Sequence, residues 1–171
     1  VAVFMKEAIE KTFARKISSP KPGQLQTYCD IVNTYINAPE VTHANKFFYD
    51  SLAMINYIQS NNLVSGLISG NDSLHMKEVL TYLRVNPQIF KTFIGHAEVN
   101  KFKPHPEGIF KALELLGYKG SLNDVCYVGD SMGDMMAAKN AGIDGYLIDR
   151  HNEFCISKDY IKLNSLLDLI K

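Results

Sequence analysis

The sequence has few cysteines, no long apolar run and no excess of charge of either sign. Its 171 residues contain three cysteines, Cys29, Cys126 and Cys155. This odd and widely spaced set argues against a disulfide framework and against a zinc knuckle. The longest apolar runs span only a few residues, well short of the roughly 20 that are needed to cross a bilayer. We therefore expect no transmembrane segment and a reducing, cytoplasmic compartment.

The balance of charges excludes partners that are recruited by a global electric field. Eighteen basic residues offset eighteen acidic ones, so neither nucleic acid nor an anionic membrane surface would be attracted over a distance. The N-terminal residues do not form a basic region followed by an apolar stretch and a cleavage site, and no signal peptide is predicted. The 46% hydrophobic content suits one compact domain with a core of its own, with or without a small appendage.

Two segments within the first 40 residues have apolar residues at helical spacing. The first reaches about Arg15 and is followed by Pro and Gly over residues 20–23, and the second runs from Leu25 to Ile36 and ends before Pro39. Two helices with no strand between them favour a small helical cap over residues 1–43. A helix pair packed on the flank of a sheet is the alternative.

From residue 44 onward, short apolar strands alternate with helical segments. Strands are predicted at residues 63–68, 92–95, 125–128 and 145–148, and the helices between them each carry one apolar face. A final helix through Ile170 is expected to be capped by Asn164. This alternation is typical of βαβ units. It predicts an α/β fold over residues 44–171, a Rossmann-like parallel sheet with helices on both faces.

Polar residues follow the first two of these strands, where ligands of open α/β sheets bind. Ser69 and Gly70 come after the first strand, where a hydroxyl and a backbone amide at the start of a helix could bind a phosphate. Lys103 lies in a loop stiffened by prolines and could neutralise a phosphoryl group. The plainer alternatives are a helix cap and turn for Ser69 and Gly70, and a solvated surface side chain for Lys103.

Two acidic residues follow the strand at residues 125–128. Asp130 ends the strand and Asp134 lies one helical turn further on, so that their carboxylates can converge. Magnesium typically takes one or two carboxylates and keeps several water ligands. Asp130 could instead be a helix cap, but that leaves Asp134 without an explanation. The pair therefore indicates a site for Mg²⁺.

In their order along the chain, these segments resemble the later motifs of the haloacid dehalogenase-like (HAD) hydrolase superfamily. Residues 68–69 resemble its second motif, residues 103–106 (Lys-Pro-His-Pro) its third, and residues 129–134 (Gly-Asp-Ser-x-x-Asp) its fourth. The resemblance covers about residues 44–171 and is greatest to phosphoglycolate phosphatases and their relatives. It implies that Ser69 hydrogen-bonds the transferring phosphoryl group and that Lys103 neutralises it. It also implies that Asp130 and Asp134 hold magnesium.

The first motif of that superfamily, Asp-x-Asp-Gly-Thr, does not occur in the sequence. In most relatives an aspartate of this motif attacks phosphorus to form an aspartyl-phosphate, so the resemblance implies a nucleophile upstream of Val1. The strand that precedes this aspartate is central in the family's sheet, between the strands that end at Ser69 and near Asp130. We therefore expect the core of this chain to lack its first, central strand and to have two unpaired inner edges.

These observations favour a magnesium-dependent phosphatase that acts on a small phosphorylated metabolite, with the helical cap screening its site. The alternative is a catalytically inactive HAD-like domain that binds phosphate and metal as a regulatory module. An unrelated nucleotide-binding domain is disfavoured because no glycine-rich phosphate-binding motif follows a strand. A dehalogenase is disfavoured because relatives of that type usually depart from the acidic pair seen here. The sequence leaves the oligomeric state open.

Overall fold

In the computed structural model, which describes residues 47–170, short parallel strands alternate with α-helices. The elements in chain order are α1 (Tyr49–Ser60), β1 (Gly66–Ile68), α2 (Ser73–Tyr82), β2 (Thr92–Ile94), α3 (Glu107–Leu115), β3 (Cys126–Gly129), α4 (Met132–Ala141), β4 (Asp144–Ile148) and β5 (Ile161–Leu163). This order confirms the predicted α/β fold. The predicted helical cap at residues 1–43 lies outside the described residues.

The strands form two parallel sheets within the described part of the chain. In the first sheet β1 pairs with β2, and Gly66 lies opposite Thr92. In the second sheet the order is β3-β4-β5, with Cys126 opposite Asp144. Between residues 47 and 170, β1 and β3 are thus each hydrogen-bonded to a single strand. The absence of a central strand between them stays a prediction.

Local sequence explains where several helices begin and end. The Asp72 carboxylate accepts hydrogen bonds from the amides of Leu74 and His75 and so caps α2. Helix α3 begins directly after Pro106. Helix α4 ends at Gly142, whose φ of +73° lies in the left-handed region that glycine adopts without strain.

Two predicted elements differ from the structure. Strand β1 begins only at Gly66. Leu63 and Val64, which were predicted to belong to it, are exposed and lie before the strand. The terminal helix is a 3₁₀ helix over Leu166–Ile170 rather than an α-helix. Its first turn is capped by Ser165, whose hydroxyl accepts the Leu167 amide at 3.2 Å, and the expectation that Asn164 caps it was wrong.

The apolar core consists of two clusters on different helices. One cluster joins α3 to α4 through Ile109, Ala137, Ala138, Ala141 and Ile143. The other joins α1 to α2 through Ile55, Leu80, Val85 and Phe90. None of the helices between residues 47 and 170 is long and apolar enough to cross a membrane.

A buried ion pair links α1 to the C-terminal end of the described chain. The Asp50 side chain is fully buried, and its two oxygens accept hydrogen bonds from Arg150 Nη2 at 2.9 and 3.0 Å. Ser165 Oγ and the Leu166 amide donate to the same carboxylate at 3.0 and 2.8 Å. Burial acts to raise the pKa of Asp50, but these donors outweigh it and lower the pKa.

We expect Asp50→Asn to lower the free energy of unfolding by about 3 kcal/mol, because it leaves the buried Arg150 charge without its partner. Urea denaturation followed by circular dichroism measures the change. Asp144→Asn is the matched control, since Asp144 is exposed. A loss equal to that of the control would show that the buried pair contributes no stability.

A second buried carboxylate holds the loop that follows β4. Asp149 lies 2.8 Å from Lys162 Nζ, and it accepts hydrogen bonds from the amides of Glu153 and Phe154 at 2.9 Å each. Burial acts to raise the pKa of Asp149, but the donors and the Lys162 charge lower it to about 2. Asp149 therefore stays ionised to a lower pH in the folded chain than in the unfolded chain.

A carboxyl group with a depressed pKa stabilises the fold above its unfolded pKa of about 4, and this stabilisation is lost as the pH falls through the folded pKa. We expect the free energy of unfolding to decrease between about pH 4 and pH 2. Lys162→Met should flatten this part of the profile, because it raises the pKa of Asp149 toward its unfolded value. Denaturant titrations at a series of pH values test this, and profiles that superimpose for the two proteins would contradict it.

Candidate functional site

The carboxyl ends of β1 and β2 open onto a common pocket, which Tyr127 of β3 also lines. Ser69, Gly70 and Lys103 belong to its lining, and its volume is about 60 Å³. The remainder of the lining is mainly apolar and includes Ile68, Ile94, Val99, Ile109, Tyr127 and Ala137. The structure thus brings together the three residues that were expected to bind phosphate, over an apolar floor.

The turn after β1 has donors that an anion could use. The Ser69 amide donates to the Ile94 carbonyl at 2.9 Å, and the Ser69 hydroxyl accepts the Asn71 amide at 3.1 Å. Gly70 is exposed, and a Cβ added there would meet no atom within 4 Å, so the space beside its backbone is open. Asp72 already satisfies two amides in the first turn of α2. The available donors of this turn are therefore the Ser69 hydroxyl and the Gly70 amide.

Lys103 is fixed by an ion pair with Asp134. Lys103 Nζ lies 2.5 Å from Asp134 Oδ1, and the lysine side chain is 30% exposed whereas the aspartate side chain is 5% exposed. The plainer interpretation of Lys103 as a freely solvated side chain is therefore wrong. Lys103 belongs to the pocket lining, and its ammonium group contacts the buried Asp134 carboxylate.

The backbone around Lys103 is held at two further points. Glu107, in the first turn of α3, accepts the amides of Asn100 and Lys101 at 2.7 and 3.0 Å. Asn140 of helix α4 donates from its side-chain amide to the Pro104 carbonyl at 2.9 Å. Helix α4 thus contacts this loop through both Asp134 and Asn140, which limits how far the ammonium group can move.

The Asp134 carboxylate accepts four hydrogen bonds. Lys103 and the Tyr127 hydroxyl donate to Oδ1, the latter at 3.2 Å. The amide and the hydroxyl of Ser131 donate to Oδ2 at 3.1 and 2.6 Å. Burial acts to raise the pKa of Asp134, but the hydrogen bonds from these side chains and the Lys103 charge outweigh it and lower the pKa. Asp134 is therefore held as a carboxylate.

Asp130 differs from Asp134 in its exposure. Asp130 is exposed at the end of β3. It lies close enough for its charge to act on Tyr127, whose pKa is raised by burial and by the charges of Asp134 and Asp130. Two carboxylates are a donor set that fits Mg²⁺, and the charges of both act on Tyr127. No group of three or more potential metal-binding side chains occurs among residues 47–170, so the protein could supply only part of the coordination sphere from this region.

Tyr127 was not recognised in the sequence as part of the site. It stood there only as an apolar residue of a predicted strand, yet its hydroxyl contacts Asp134. Side chains alternate across a strand, so residues 127 and 129 share a face. The signal in the sequence was the position of Tyr127, two residues before Gly129 at the end of the strand. From there its hydroxyl can reach the turn that contains Asp130 and Asp134.

We expect Gly129→Ala to destabilise the protein by about 1–3 kcal/mol, because a Cβ at this position would lie 2.4 to 2.7 Å from side-chain atoms of Asp134. Gly133→Ala is the matched control, since its Cβ would meet no atom closer than 3.6 Å. Thermal unfolding of both variants measures the difference. Equal stability would show that Asp134 can move away from β3 at no cost.

The sequence matches known proteins. Residues 1–148 match the family model of haloacid dehalogenase-like hydrolases. A phosphoglycolate phosphatase of Yersinia pestis is 31% identical over 105 residues, which are 61% of this chain and 44% of that protein. The phosphoglycolate phosphatase of Escherichia coli K12 is 29% identical over 104 residues, 60% of this chain and 40% of that protein. The matched part therefore spans less than half the length of these relatives.

Solved structures share the fold. A HAD-superfamily hydrolase of subfamily IA from Geobacter sulfurreducens superposes with a TM-score of 0.67 at 20% identity, covering 97% of this chain and 72% of the other. A HAD phosphatase from Thermococcus onnurineus gives a TM-score of 0.65 at 17% identity, covering 96% and 89%. The family match covers most of the sequence, and the fold agrees with it. The chain therefore belongs to the haloacid dehalogenase-like hydrolase family.

Proposed function

We propose that the protein is a magnesium-dependent phosphatase that hydrolyses a small phosphorylated metabolite. The observation that carries the proposal is the ion pair of Lys103 with the buried Asp134, 2.5 Å long, on the rim of the pocket that Ser69 and Gly70 also line. A fixed ammonium group beside a hydroxyl and a backbone amide is suited to the negative charge of a phosphoryl group.

The roles of these three residues follow from their chemistry. The Ser69 hydroxyl and the Gly70 amide are donors that would orient the phosphoryl oxygens. Lys103 would neutralise their charge, and Asp134 would keep the ammonium group in position.

Asp130 and Asp134 would hold the magnesium ion. When bound, the ion supplies positive charge that stabilises the phosphoryl oxygens during transfer. The oxygens of Asp134 already accept four protein hydrogen bonds, whereas Asp130 is exposed. We therefore assign the direct contact with the metal to Asp130 first, and to Asp134 an interaction that is shared with Lys103.

The attacking group is expected to be an aspartate that forms an aspartyl-phosphate. The sequence contains no Asp-x-Asp-Gly-Thr segment, so this nucleophile is expected upstream of Val1 and stays a prediction. Its attack on phosphorus would break the P–O bond of the ester and release the alcohol, which takes up a proton. Water would then hydrolyse the aspartyl-phosphate, which regenerates the aspartate and releases inorganic phosphate.

A small organic phosphate suits the pocket better than a macromolecule. Its volume of about 60 Å³ leaves room only for a small group, and a phosphoglycolate phosphatase of Yersinia pestis is 31% identical over 105 residues. The balanced charge of the sequence argues against nucleic acid and membrane partners.

We also propose a cytoplasmic location, which the free Cys126 and Cys155 support.

A domain that binds phosphate and metal without hydrolysis is the second candidate. The observation that favours it is that the residues proposed to bind phosphate and metal occur in this sequence, which contains no Asp-x-Asp-Gly-Thr segment. The two candidates differ in turnover but not in the ligands that they bind.

The test is hydrolysis of p-nitrophenyl phosphate by the intact polypeptide, whose mass is first measured. We expect activity that chelation abolishes and Mg²⁺ restores. Lys103→Met and Asp130→Asn should each lower kcat/KM by about 100-fold, because each removes a charge that stabilises the transition state. Lys111→Met and Asp144→Asn are the matched controls at exposed or half-exposed positions and should keep full activity.

Two results would contradict this proposal, the first its phosphatase activity and the second the role of Lys103. An intact polypeptide without magnesium-dependent turnover would overturn it, and calorimetric binding of inorganic phosphate and Mg²⁺ by that same sample would then support the binding domain. Turnover that survives Lys103→Met unchanged would remove Lys103 from the mechanism.

A further inference from the structure

The turns that follow β1 and β2 are in direct backbone contact. A Cβ added at Gly95 would lie 2.5 Å from the Asn71 carbonyl oxygen and 2.6 Å from the Ser73 amide nitrogen. Any side chain at residue 95 would therefore push the two turns apart. The turn that contains Ser69 and Gly70 packs against the end of β2 at this point.

Glu98 bridges the same two turns with its carboxylate. Its Oε2 atom accepts the Gly95 amide at 2.7 Å, and its Oε1 atom accepts the Ser73 hydroxyl at 2.8 Å. Ser73 is the first residue of α2 and lies 25 residues before Glu98 in the sequence. Both carboxylate oxygens thus have a donor, and the side chain is partly buried.

Backbone hydrogen bonds hold this turn at two more points. The Ser69 amide donates to the Ile94 carbonyl at 2.9 Å, and the His96 amide donates to the Asn71 carbonyl at 3.3 Å. These two bonds fix the start and the middle of the turn, and the Glu98 carboxylate fixes its end at Ser73.

We propose that Glu98 is a positioning residue for the phosphate-binding turn, which it holds through Ser73. This inference rests on the proposed function, because it concerns the turn that would bind the phosphoryl group. A carboxylate in direct contact with a phosphate would repel it, so Glu98 acts through the turn. A carboxylate suits this place, since both of its oxygens accept and its charge strengthens the bonds from the Gly95 amide and the Ser73 hydroxyl.

Glu98→Gln is therefore an informative substitution. Glutamine keeps the size of the side chain and can keep both contacts, because its oxygen can accept the Gly95 amide while its NH2 group donates to the Ser73 hydroxyl. Both bonds then lose the negative charge that strengthens them, and the hold on the end of the turn is weakened. Ser73→Ala removes the bond to α2 alone and leaves the Glu98 bond to Gly95 intact.

The readouts are KM and kcat for p-nitrophenyl phosphate and the binding of inorganic phosphate, measured by calorimetry and as product inhibition. We expect Glu98→Gln to weaken phosphate binding and raise KM about five- to tenfold, the difference between charge-assisted and neutral hydrogen bonds, with a smaller change in kcat. Ser73→Ala should have a similar effect, and the two effects should be less than additive in the double variant, because both changes act on the same bridge. Glu114→Gln, at an exposed position of α3, is the matched control.

The outcomes separate this inference from the proposed function. A wild-type protein that hydrolyses the aryl phosphate, while Glu98→Gln lowers only the melting temperature and leaves phosphate binding unchanged, overturns the role of Glu98 alone. A wild-type protein without turnover whose phosphate binding is weakened by Glu98→Gln keeps the role and rejects the phosphatase. A wild-type protein that binds no phosphate overturns both.

Discussion

The buried carboxylate of Asp134 joins three separate parts of the chain at the site. It accepts Lys103 from the loop before α3, Tyr127 from β3 and Ser131 from the start of α4. A carboxylate in so little solvent would be costly without donors, and removal of one donor would leave an unsatisfied charge. The positions of the lysine, the phenol and the helix start therefore depend on one another.

The same physical arrangement recurs at the turn that follows β2. Glu98 also uses both oxygens of a carboxylate to join segments that are distant in sequence. In both cases an acidic side chain fixes the backbone or the cation that would face the ligand. The oxygens of each carboxylate are already occupied by donors within the protein, which makes an acidic residue compatible with a nearby site for an anion.

The sequence predicted the α/β fold and the residues that follow the strands, because strand ends and turns are local features. Ser69 and Lys103 follow predicted strands, and the structure brings both to one pocket. The sequence could not predict the contact of Glu98 with Ser73. Nor could it predict the pair of Asp50 and Arg150, which are 100 residues apart, since no local periodicity marks either contact. The 3₁₀ helix at Leu166–Ile170 was not predicted for a related reason, because the contact of the Leu166 amide with Asp50 forms only in the folded protein.

The partners of Asp50 also have a consequence for synthesis on the ribosome. Helix α1 is made before the side chains and the amide that satisfy its buried carboxylate, which belong to residues 150, 165 and 166. Until residue 166 has left the exit tunnel, burying the ionised Asp50 is costly, because its donors are missing. The docking of α1 therefore follows the synthesis of residue 166, whatever order the strands assemble in.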